Sequence, residues 1–450
     1  MTAGTDRAAG EAGEAPRVEY PPAGRAWYMV GLLTIAYVVS FVDRNILGLL
    51  IDPIKADLGL SDLQIGLILG PAFAIFYATM GLPLGYLADR RRRTWIVAAG
   101  VAVWSAATAL CGLARNFTQL FIARMSVGVG EATLSPCAMS LIADSYPEER
   151  RGKPIAAYSS AISLGSGLAA LLGAGVLAWA NTNEQTVLPL VGEVAAWQLA
   201  FIVVGLPGLL LALLFFWLPE PKRILAGAQQ ARSHLGHMFA HVGRHAGVYA
   251  SFVSIFCCMT VIAYSHGWLA VTFDRTWGWP VEKYALAHGI TLIVLGPAAV
   301  NVAGWLSDRY TARGYKDAPL RIAVAGLLLC LPPCVIGPLL GDPWLAFGVL
   351  AFGNIGIAFI SATGVTALLN IVPPRIRAQT VALYYMAISL SGLMFGPTLV
   401  GALNDWVFGI DGVRYSVALL PLIFGVPVAA LTPVTLRLYR RALAENLAAR

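Results

Sequence analysis

The stretch RMSVGVGEATLSP, residues 124–136, places an arginine and a glutamate inside an otherwise apolar segment, with FTQLFIA before it and CAMSLIA after it. Such a segment is long enough to cross a bilayer, because a membrane helix needs roughly 20 apolar residues. A charged side chain at the bilayer centre costs roughly 2.5–3.5 kcal/mol on insertion scales, and such charges mostly serve function. The stretch therefore predicts a membrane helix that carries part of a functional site.

The rest of the chain has the composition of a membrane protein. Of its 450 residues, 58% are hydrophobic and only 12% are charged, and the mean hydropathy is +0.71. Soluble domains are about half apolar and about a quarter charged. The long apolar runs predict an all-α protein with twelve transmembrane helices. These are 27–51, 64–87, 95–113, 117–143, 154–179, 196–218, 247–272, 284–306, 320–340, 343–368, 378–403 and 413–436.

The basic residues lie mostly on one side of this predicted bundle. With the N-terminus inside, 24 of the 31 Lys and Arg residues fall on the inner side, 5 on the outer side and 2 within the membrane. This asymmetry follows the positive-inside rule and predicts a plasma (inner) membrane protein with both termini cytoplasmic. The net charge of +7 then serves topology and contacts with anionic membrane lipids, and we expect no nucleic-acid partner.

The spans divide the chain into two bundles. We predict a disordered cytoplasmic tail at 1–26, an N-terminal six-helix bundle at 27–218 and a cytoplasmic central loop at 219–246. A C-terminal six-helix bundle at 247–436 and a cytoplasmic tail at 437–450 complete the chain. We expect a monomer.

The two bundles repeat each other in sequence. GYLADR, at residues 85–90, ends the second span, and GWLSDR, at residues 304–309, ends the eighth. A second pair of motifs is PEERR followed by AISLGSGL in the first half and PPRIR followed by AISLSGL in the second half. The number of residues from Arg151 to Arg377 equals the number from Ala161 to Ala387, so Arg151 corresponds to Arg377. Two parallel six-helix repeats are the arrangement in which a transport site forms between the halves.

The repeated Gly–Asp–Arg pattern predicts a conformational latch. Gly85 permits close helix approach, and Asp89 can face the positive N-terminal end of a neighbouring helix. Residues of the predicted latch are Gly85, Asp89, Arg90, Asp308 and Arg309. The alternative for residues 90–93 is that the four arginines only set topology, and for them we favour that alternative.

With twelve spans, two halves and this loop motif, the chain resembles the major facilitator superfamily. It departs from the family pattern at Arg92, where a glycine is usual between the basic residues, and in the looser second copy before Arg313.

Within that superfamily, three stretches resemble the spinster family: FVDRN at residues 41–45, RMSVGVGEA at 124–132, and IADSYPEERR at 142–151 followed by GSGL. The resemblance implies a secondary transporter, and eukaryotic members are associated with export of lysolipid and sphingosine-1-phosphate. Organic-anion:cation symporters also carry an Asp–Arg pair in the first span and an Arg…Gly…Gly-Glu fourth span. An organic-anion:cation symporter is therefore the alternative function.

Four ionisable residues within spans, which sum to zero charge, are the candidate site. Asp43 and Arg124 fall at similar depth on different helices, so we predict that they pair in one conformation. Glu131, two turns from Arg124, is then the less compensated carboxylate. We predict that Glu131 and Asp43 carry the coupling proton. We assign substrate binding or gating to Arg124, Arg44 and Ser135, because arginine suits phosphate and carboxylate groups. A static charge network is the alternative.

Other features give weaker expectations. Thr363, Asn370 and Tyr384 are possible cavity-lining residues of the C-terminal half, although aromatic packing explains Tyr384 equally well. The sequence has no nucleotide loop, metal-spaced ligand pair or nucleophile with a base, so we expect a transporter and not an enzyme. A non-transporting sensor would need a larger soluble domain. We expect no cofactor, with H+ as the coupling ion, and a small-molecule or lipid substrate.

Overall fold

The computed structural model describes residues 20–147, 150–180, 186–188, 192–223, 235–373 and 376–448. The N-terminal half consists of α1 (Ala23–Ile46), α2 (Ile51–Leu58), α3 (Asp62–Leu69), α4 (Pro71–Arg90), α5 (Arg93–Cys111), α6 (Phe117–Glu131), α7 (Leu134–Ser145), α8 (Gly152–Ala180), β1 (Thr186–Leu188), β2 (Gly192–Val194) and α9 (Ala196–Trp217). The two strands pair antiparallel and form a small hairpin outside the helices.

The second half begins with α10 (Leu235–Arg244), a short helix in the predicted central loop. The helices that follow are α11 (Ala246–Ser265), α12 (Leu269–Trp277), α13 (Val281–Ala312), α14 (Ala318–Ile336), α15 (Pro343–Ile371), α16 (Arg377–Leu403), α17 (Val413–Leu420) and α18 (Val426–Ala448). A 3-10 turn, His266–Trp268, joins α11 to α12 as one interrupted segment. Residues 1–19 of the predicted tail and 224–234 of the predicted loop lie outside the described residues.

Eleven helices in the described part of the chain are long and apolar enough to cross a membrane. The predicted fourth span is the difference from twelve, because it is divided into α6 and α7 at the end of the quoted stretch. Ala132 and Thr133 turn back to the carbonyls of Gly128 and Gly130. Pro136 has no N–H to donate to the carbonyl of Ala132, which removes a helical hydrogen bond here. Glu131 is therefore the last residue of a broken helix.

The sequence repeat is also a structural repeat. In α5 and α6, a Cβ added at Gly130 would lie 2.7 Å from the carbonyl oxygen of Gly100. In α14 and α15, a Cβ added at Gly356 would lie 2.5 Å from that of Gly326. Gly326 follows Gly100, and Gly356 follows Gly130, by the same number of residues as Arg377 follows Arg151. The two halves therefore share the same glycine-mediated helix packing.

The two corresponding arginines, Arg151 and Arg377, also make the same hydrogen bond to the end of the preceding helix. Arg151 donates from Nε to the carbonyl of Tyr146 at 3.0 Å, and Arg377 donates from Nε to the carbonyl of Val372 at 3.5 Å. Each arginine thus binds a backbone oxygen at the end of the preceding helix, where carbonyls lack helical partners.

The halves meet tightly at one end, which we call the closed end; it contains residues 50–62, 275–281 and 404–413. A Cβ added at Gly48 would lie 2.9 Å from the oxygen of Gly267, and one at Gly66 would lie 2.7 Å from that of Pro397. Only glycine permits backbones to approach this closely.

A buried polar network fixes the closed end. The carboxylate of Asp62, in the N-terminal half, accepts from Lys55 at 2.5 Å, from Arg275 at 2.9 Å and from Asn404 at 3.0 Å. Arg275 also binds Asp52, and Asp405 accepts from the backbone N–H groups of α3. Arg275 lies in the last turn of α12 and joins the two halves.

The opposite end, which carries the arginine-rich connections, is open; we call it the basic end. In the described part of the chain, the hydrogen bonds and ion pairs between the two halves lie at the closed end or next to it, and Tyr264 in addition approaches Arg44 between the halves. An added Cβ at Gly85 or Gly304 would meet no described atom within 4 Å. The expected close approach at Gly85 is therefore wrong for this conformation.

The described side chains of the predicted latch form no contact between the halves here. Arg90 and Arg309 stack on the neighbouring rings of Tyr86 and Trp305, and Asp308 is exposed. The side chain of Asp89 lies outside the described residues.

Arg93 forms a different network at the basic end. The structure buries it, and its guanidinium binds Asp144, Ser140 at 2.8 Å and Glu220 at 2.9 Å. The interpretation of residues 90–93 as topology charges is therefore wrong for Arg93, which joins α5, α7 and the end of α9.

Candidate functional site

The centre of the candidate site is an ion pair between the first and fourth segments. Arg44, on α1, donates from Nη2 to Oε2 of Glu131 at the end of α6. Ser40, one turn before Arg44, donates to the same oxygen at 2.6 Å. The side chains of Glu131 and Arg44 are 1% and 9% exposed, so the pair is shielded from water. The expectation that Glu131 is the less compensated carboxylate is wrong in this conformation.

Asp43 and Arg124 lie at the same depth on neighbouring helices, but they do not form a side-chain ion pair here. Arg124 Nη1 donates instead to the backbone carbonyl of Asp43 at 3.3 Å. The carboxylate of Asp43 accepts from Thr108 on α5 at 3.0 Å. Oδ1 of Asp43 and Nε of Arg124 have no partner among the described residues. Both groups are fully buried, so a further rearrangement is needed before they pair.

The arginines are surrounded by rings. The guanidinium carbon of Arg44 lies 4.5 Å from the centroid of Phe73, 4.9 Å from Tyr77 and 5.0 Å from Phe41. The guanidinium of Arg124 lies 5.9 Å from the same Phe73 ring. Aromatic faces attract cations, and the attraction grows where water is excluded. Phe73 therefore separates and stabilises two positive charges.

The glycines of the quoted stretch bring three helices to the site. A Cβ at Gly128 would lie 2.5 Å from the carbonyl oxygen of Phe73, on α4, while Gly130 contacts α5 on the other side. The backbone of α4 therefore occupies the space beside Gly128, between Arg124 and Glu131.

Ser135 belongs to a cluster of hydroxyl-bearing side chains next to the ion pair. Its Oγ lies 3.2 Å from Oη of Tyr158 on α8, and the Tyr158 ring stacks on Tyr37 at 4.6 Å between centroids. Tyr37 is two turns before Arg44 on α1. The structure thus places Ser135 beside the ion pair but in contact with tyrosines.

The C-terminal half lacks these charges. In the second half, the positions that correspond to Asp43 and Arg44 by the interval between the two Gly–Asp–Arg motifs are Ile262 and Ala263. The interval between the second pair of motifs relates Glu131 to Ile357 and Arg124 to Leu350. The two halves therefore present opposite chemistry to the interface between them.

The three expected cavity residues of the C-terminal half are not brought together as a site. Thr363 is buried and donates to the carbonyl of Phe359 within its own helix. Tyr384 packs on Phe256, at 5.4 Å between centroids, in the core of that half. Asn370 accepts from Asn446 through its carbonyl at the basic end. Aromatic packing is the better explanation of Tyr384 in this conformation.

Ser40 and Thr108 are the site residues that sequence reasoning missed. Each is a lone hydroxyl in an apolar run, and such residues often bond to their own helix. Only the position of Ser40 one turn before Arg44 points to a shared partner. In the described part of the chain, no group of three His, Cys, Asp or Glu residues could hold a metal ion.

Comparison with known proteins agrees with this architecture. The family model of the Major Facilitator Superfamily matches residues 33–315. The chain is 30% identical over 85% of its length, and of the relative's, to an MFS-type efflux pump of Mycolicibacterium smegmatis. It is 26% identical to protein spinster of Drosophila melanogaster, over 84% of this chain and 62% of that protein.

A solved structure shows the same overall shape. It is a bacterial homologue of the human lysosomal transporter spinster, in an inward-facing and unoccupied conformation, and it is 25% identical to this chain. The two superpose with a TM-score of 0.77 over 96% of this chain and 99% of the other. A match of this extent includes both bundles. The chain belongs to the Major Facilitator Superfamily, and it is a spinster-like membrane transporter and not an enzyme.

Proposed function

We propose that the protein is a secondary active transporter that moves an amphipathic or anionic small molecule together with protons by alternating access. The favoured substrate resembles a lysolipid or sphingolipid. The observation that carries the proposal is the buried pair of Arg44 and Glu131, in which one carboxylate holds the cation that an anionic substrate would need.

Competition for Arg44 provides the coupling. When an anionic headgroup enters from the open basic end and binds the guanidinium of Arg44, Glu131 loses its counter-ion and can receive a proton from water at that end. A buried carboxyl group without a cation favours its neutral form, so Glu131 then takes up a proton. The substrate anion and the proton thus occupy the protein together, which predicts cotransport in the same direction. Asp43, held by Thr108, is the second proton acceptor.

The contrast between the halves supports an amphipathic substrate. The N-terminal half supplies Arg44 and Arg124, while the positions related to them by the repeat are apolar. An anionic head can bind the arginines while an acyl chain lies against the C-terminal half. A hydrophilic organic anion would use only the first of these contacts, which leaves the organic-anion:cation symporter as the second candidate.

Alternating access assigns the two ends. With the basic end cytoplasmic, as the positive-inside rule predicts, the closed end faces outward and this conformation is inward-facing. The latch at Gly85, Asp89, Arg90, Asp308 and Arg309 is then the contact that forms when the basic end closes.

Reconstitution into liposomes tests the proposal. Proton flux is measured with a lysophospholipid, sphingosine-1-phosphate and a short hydroxy acid, each at equal concentration. We expect proton movement with the lipids in wild-type protein and none in Glu131→Gln. Proton movement with the hydroxy acid alone identifies the organic-anion symporter. Substrate movement without any proton signal in wild-type protein overturns the coupling.

A further inference from the structure

The C-terminal half contains a polar cluster that the candidate site does not use. His266 lies in the 3-10 turn between α11 and α12, and its Nε2 is 3.7 Å from Sγ of Cys334 on α14. His288, on α13, stacks on Tyr284 with centroids 5.2 Å apart. The side chain of Asn354, on α15, approaches the His266 ring, and the two histidines are close enough to interact electrostatically.

The positions that correspond to these histidines in the first half are occupied by leucines. The interval between the two Gly–Asp–Arg motifs also relates Leu47-Gly48 to His266-Gly267. It relates Leu69-Gly70 to His288-Gly289 in the same way. At both positions a leucine before a glycine in the first half is a histidine before a glycine in the second.

Both glycines that follow the histidines contact the other half. The oxygen of Gly267 lies 2.9 Å from a Cβ added at Gly48. A Cβ added at Gly289 would lie 2.9 Å from the oxygen of Gly167 on α8. Each histidine is therefore one residue away from a backbone contact between the halves. Movement of the halves at the closed end must change the surroundings of His266 through the contact with Gly48.

The surroundings of the pair are polar but uncharged. A cavity of about 10 Å³ is bounded by His288, Tyr284 and Asn354 together with apolar side chains, and this is roughly the space of one water molecule. The titratable neighbours are Cys334 and Tyr284, and the N-terminal elements that pack here contribute Leu47 and Gly167. Among the described residues, and apart from the two histidines themselves, no carboxylate or basic side chain acts on either ring.

We propose that His266 and His288 form a second proton-binding site, in the C-terminal half, which couples the pH outside the closed end to its opening. Imidazole is the side chain that ordinarily titrates between pH 5 and 8. While the closed end is shut, the half-buried rings lie among Cys334, Tyr284 and Asn354 beside a cavity of about one water molecule. Opening separates Gly48 from Gly267 and admits water, so a proton binds. Acid on that side therefore favours the open state by linkage.

This inference rests on the proposed alternating access but not on the role of Glu131. It is therefore tested in the Glu131→Gln background, in which the coupling carboxylate is absent while Asp43 remains, and the histidine variants below decide which group responds to pH. Two fluorophores on non-canonical amino acids at Ala56 and Ile410, which are exposed on opposite halves of the closed end, report its opening and leave Cys334 in place.

We expect the open population in Glu131→Gln to rise by about threefold or more between pH 7.5 and pH 5.5, around the titration of imidazole. The double variant His266→Leu, His288→Leu has at both positions the residue found at the corresponding position of the first half. It is expected to abolish this rise. The matched control is His245→Gln, a half-exposed histidine at the basic end, which leaves it unchanged.

Two results overturn the proposal: a closed end that does not respond to pH in Glu131→Gln, and a response that survives in the double leucine variant. The single variants His266→Leu and His288→Leu decide the question if the double variant does not fold, since each removes part of the response. Loss of proton flux in Glu131→Gln with the pH response retained separates this site from the coupling site.

Discussion

Arg44 on α1 and Glu131 at the end of α6 bind each other although they are far apart in sequence, and the carboxylate receives a second hydrogen bond from Ser40. This contact lies where the fourth membrane segment is broken. The carboxylate therefore sits at a helix end, where side chains can move without unwinding a helix. The pair joins the segment that bears the coupling group to the segment that bears the substrate-binding cation.

Neutralising Glu131 is expected to uncouple transport. Glu131→Gln keeps the hydrogen bond with Ser40 but binds no proton and no longer holds Arg44 by charge. Substrate-driven proton flux in liposomes is expected to fall to background, a loss of about 100-fold or more, as is typical for removal of a positioned proton-transfer group. Glu445→Gln, on an exposed carboxylate at the basic end, is the control. Equal proton flux in both variants contradicts the role of Glu131.

Removing Arg44 is expected to destabilise the protein through Glu131. Breaking a buried ion pair by deleting one partner costs about 3–5 kcal/mol, since an uncompensated charge remains. Arg44→Ala is therefore expected to lower the thermal midpoint in detergent at neutral pH. The loss is recovered when Glu131→Gln is added, because the unpaired charge is removed as well. A double variant that is less stable than Arg44→Ala shows that the two residues do not act as a pair.

The glycines that join α5 to α6 are expected to reject a methyl group. Gly130→Ala places Cβ 2.7 Å from the Gly100 oxygen, and Gly356→Ala produces the equivalent contact at 2.5 Å in the second half. Overpacking of this kind costs about 1–3 kcal/mol. Gly85→Ala meets no described atom and serves as the neutral control. Thermal unfolding of the three variants, measured in one detergent, checks the order.

The closed end is expected to open more often without its cross-half ion pairs. Arg275→Gln leaves Asp62 with Lys55 and Asn404 but removes the ion pairs of Arg275 with Asp52 and Asp62, which cross between the halves. A charge-assisted hydrogen bond contributes about 1.5–3 kcal/mol, so the open population is expected to rise roughly tenfold or more. Fluorophore distances between Ala56 and Ile410 measure the change. Arg414→Gln, whose guanidinium contacts only the adjacent Tyr415 among the described residues, is expected to leave them unaltered.

Stability in acid is expected to depend on Asp317, at the basic end. Burial raises the pKa of this carboxyl group, but hydrogen bonds from Arg321 and Arg440 outweigh it and hold the pKa below its ordinary value. Its stabilising effect is therefore full above about pH 4 and is lost as the pH falls through the folded-state pKa. The thermal midpoint of Asp317→Asn is expected to lie below that of wild type at pH 7 and to approach it at pH 3. A constant difference across this range rules out the linkage.

The sequence was sufficient to predict the architecture. Long apolar runs, the side of the basic residues and the repeated GYLADR and GWLSDR motifs depend on local composition, which the bilayer constrains strongly. The constant interval between Arg151 and Arg377, read from the sequence, also separates the packed glycines of the first half from those of the second half. The break in the fourth segment could have been foreseen from Pro136 and the two glycines before Glu131, because each weakens a helix.

The pairing of charges could not be predicted in the same way. Successive residues such as Asp43 and Arg44 point about 100° apart around the axis of α1. Which side chain each of them meets depends on how α1 is rotated relative to α5 and α6, and the sequence does not show this rotation. Thr108 captures Asp43, and Arg44 reaches Glu131. The closed-end network was missed for a similar reason: Lys55 and Arg275 appear in sequence as two loop charges, and only the packed halves bring both to Asp62.

The location of all four membrane charges in one half has an electrical consequence. With Glu131 and Asp43 ionised these charges cancel, so the empty protein carries little net charge through the field when its halves rock. One bound proton leaves a single positive charge, and a full membrane crossing of that charge is worth about 2.3 kcal/mol per 100 mV. The membrane potential therefore acts on the protonated protein and not on the empty one. An anionic substrate on Arg44 cancels the charge again, and the loaded return becomes electrically silent.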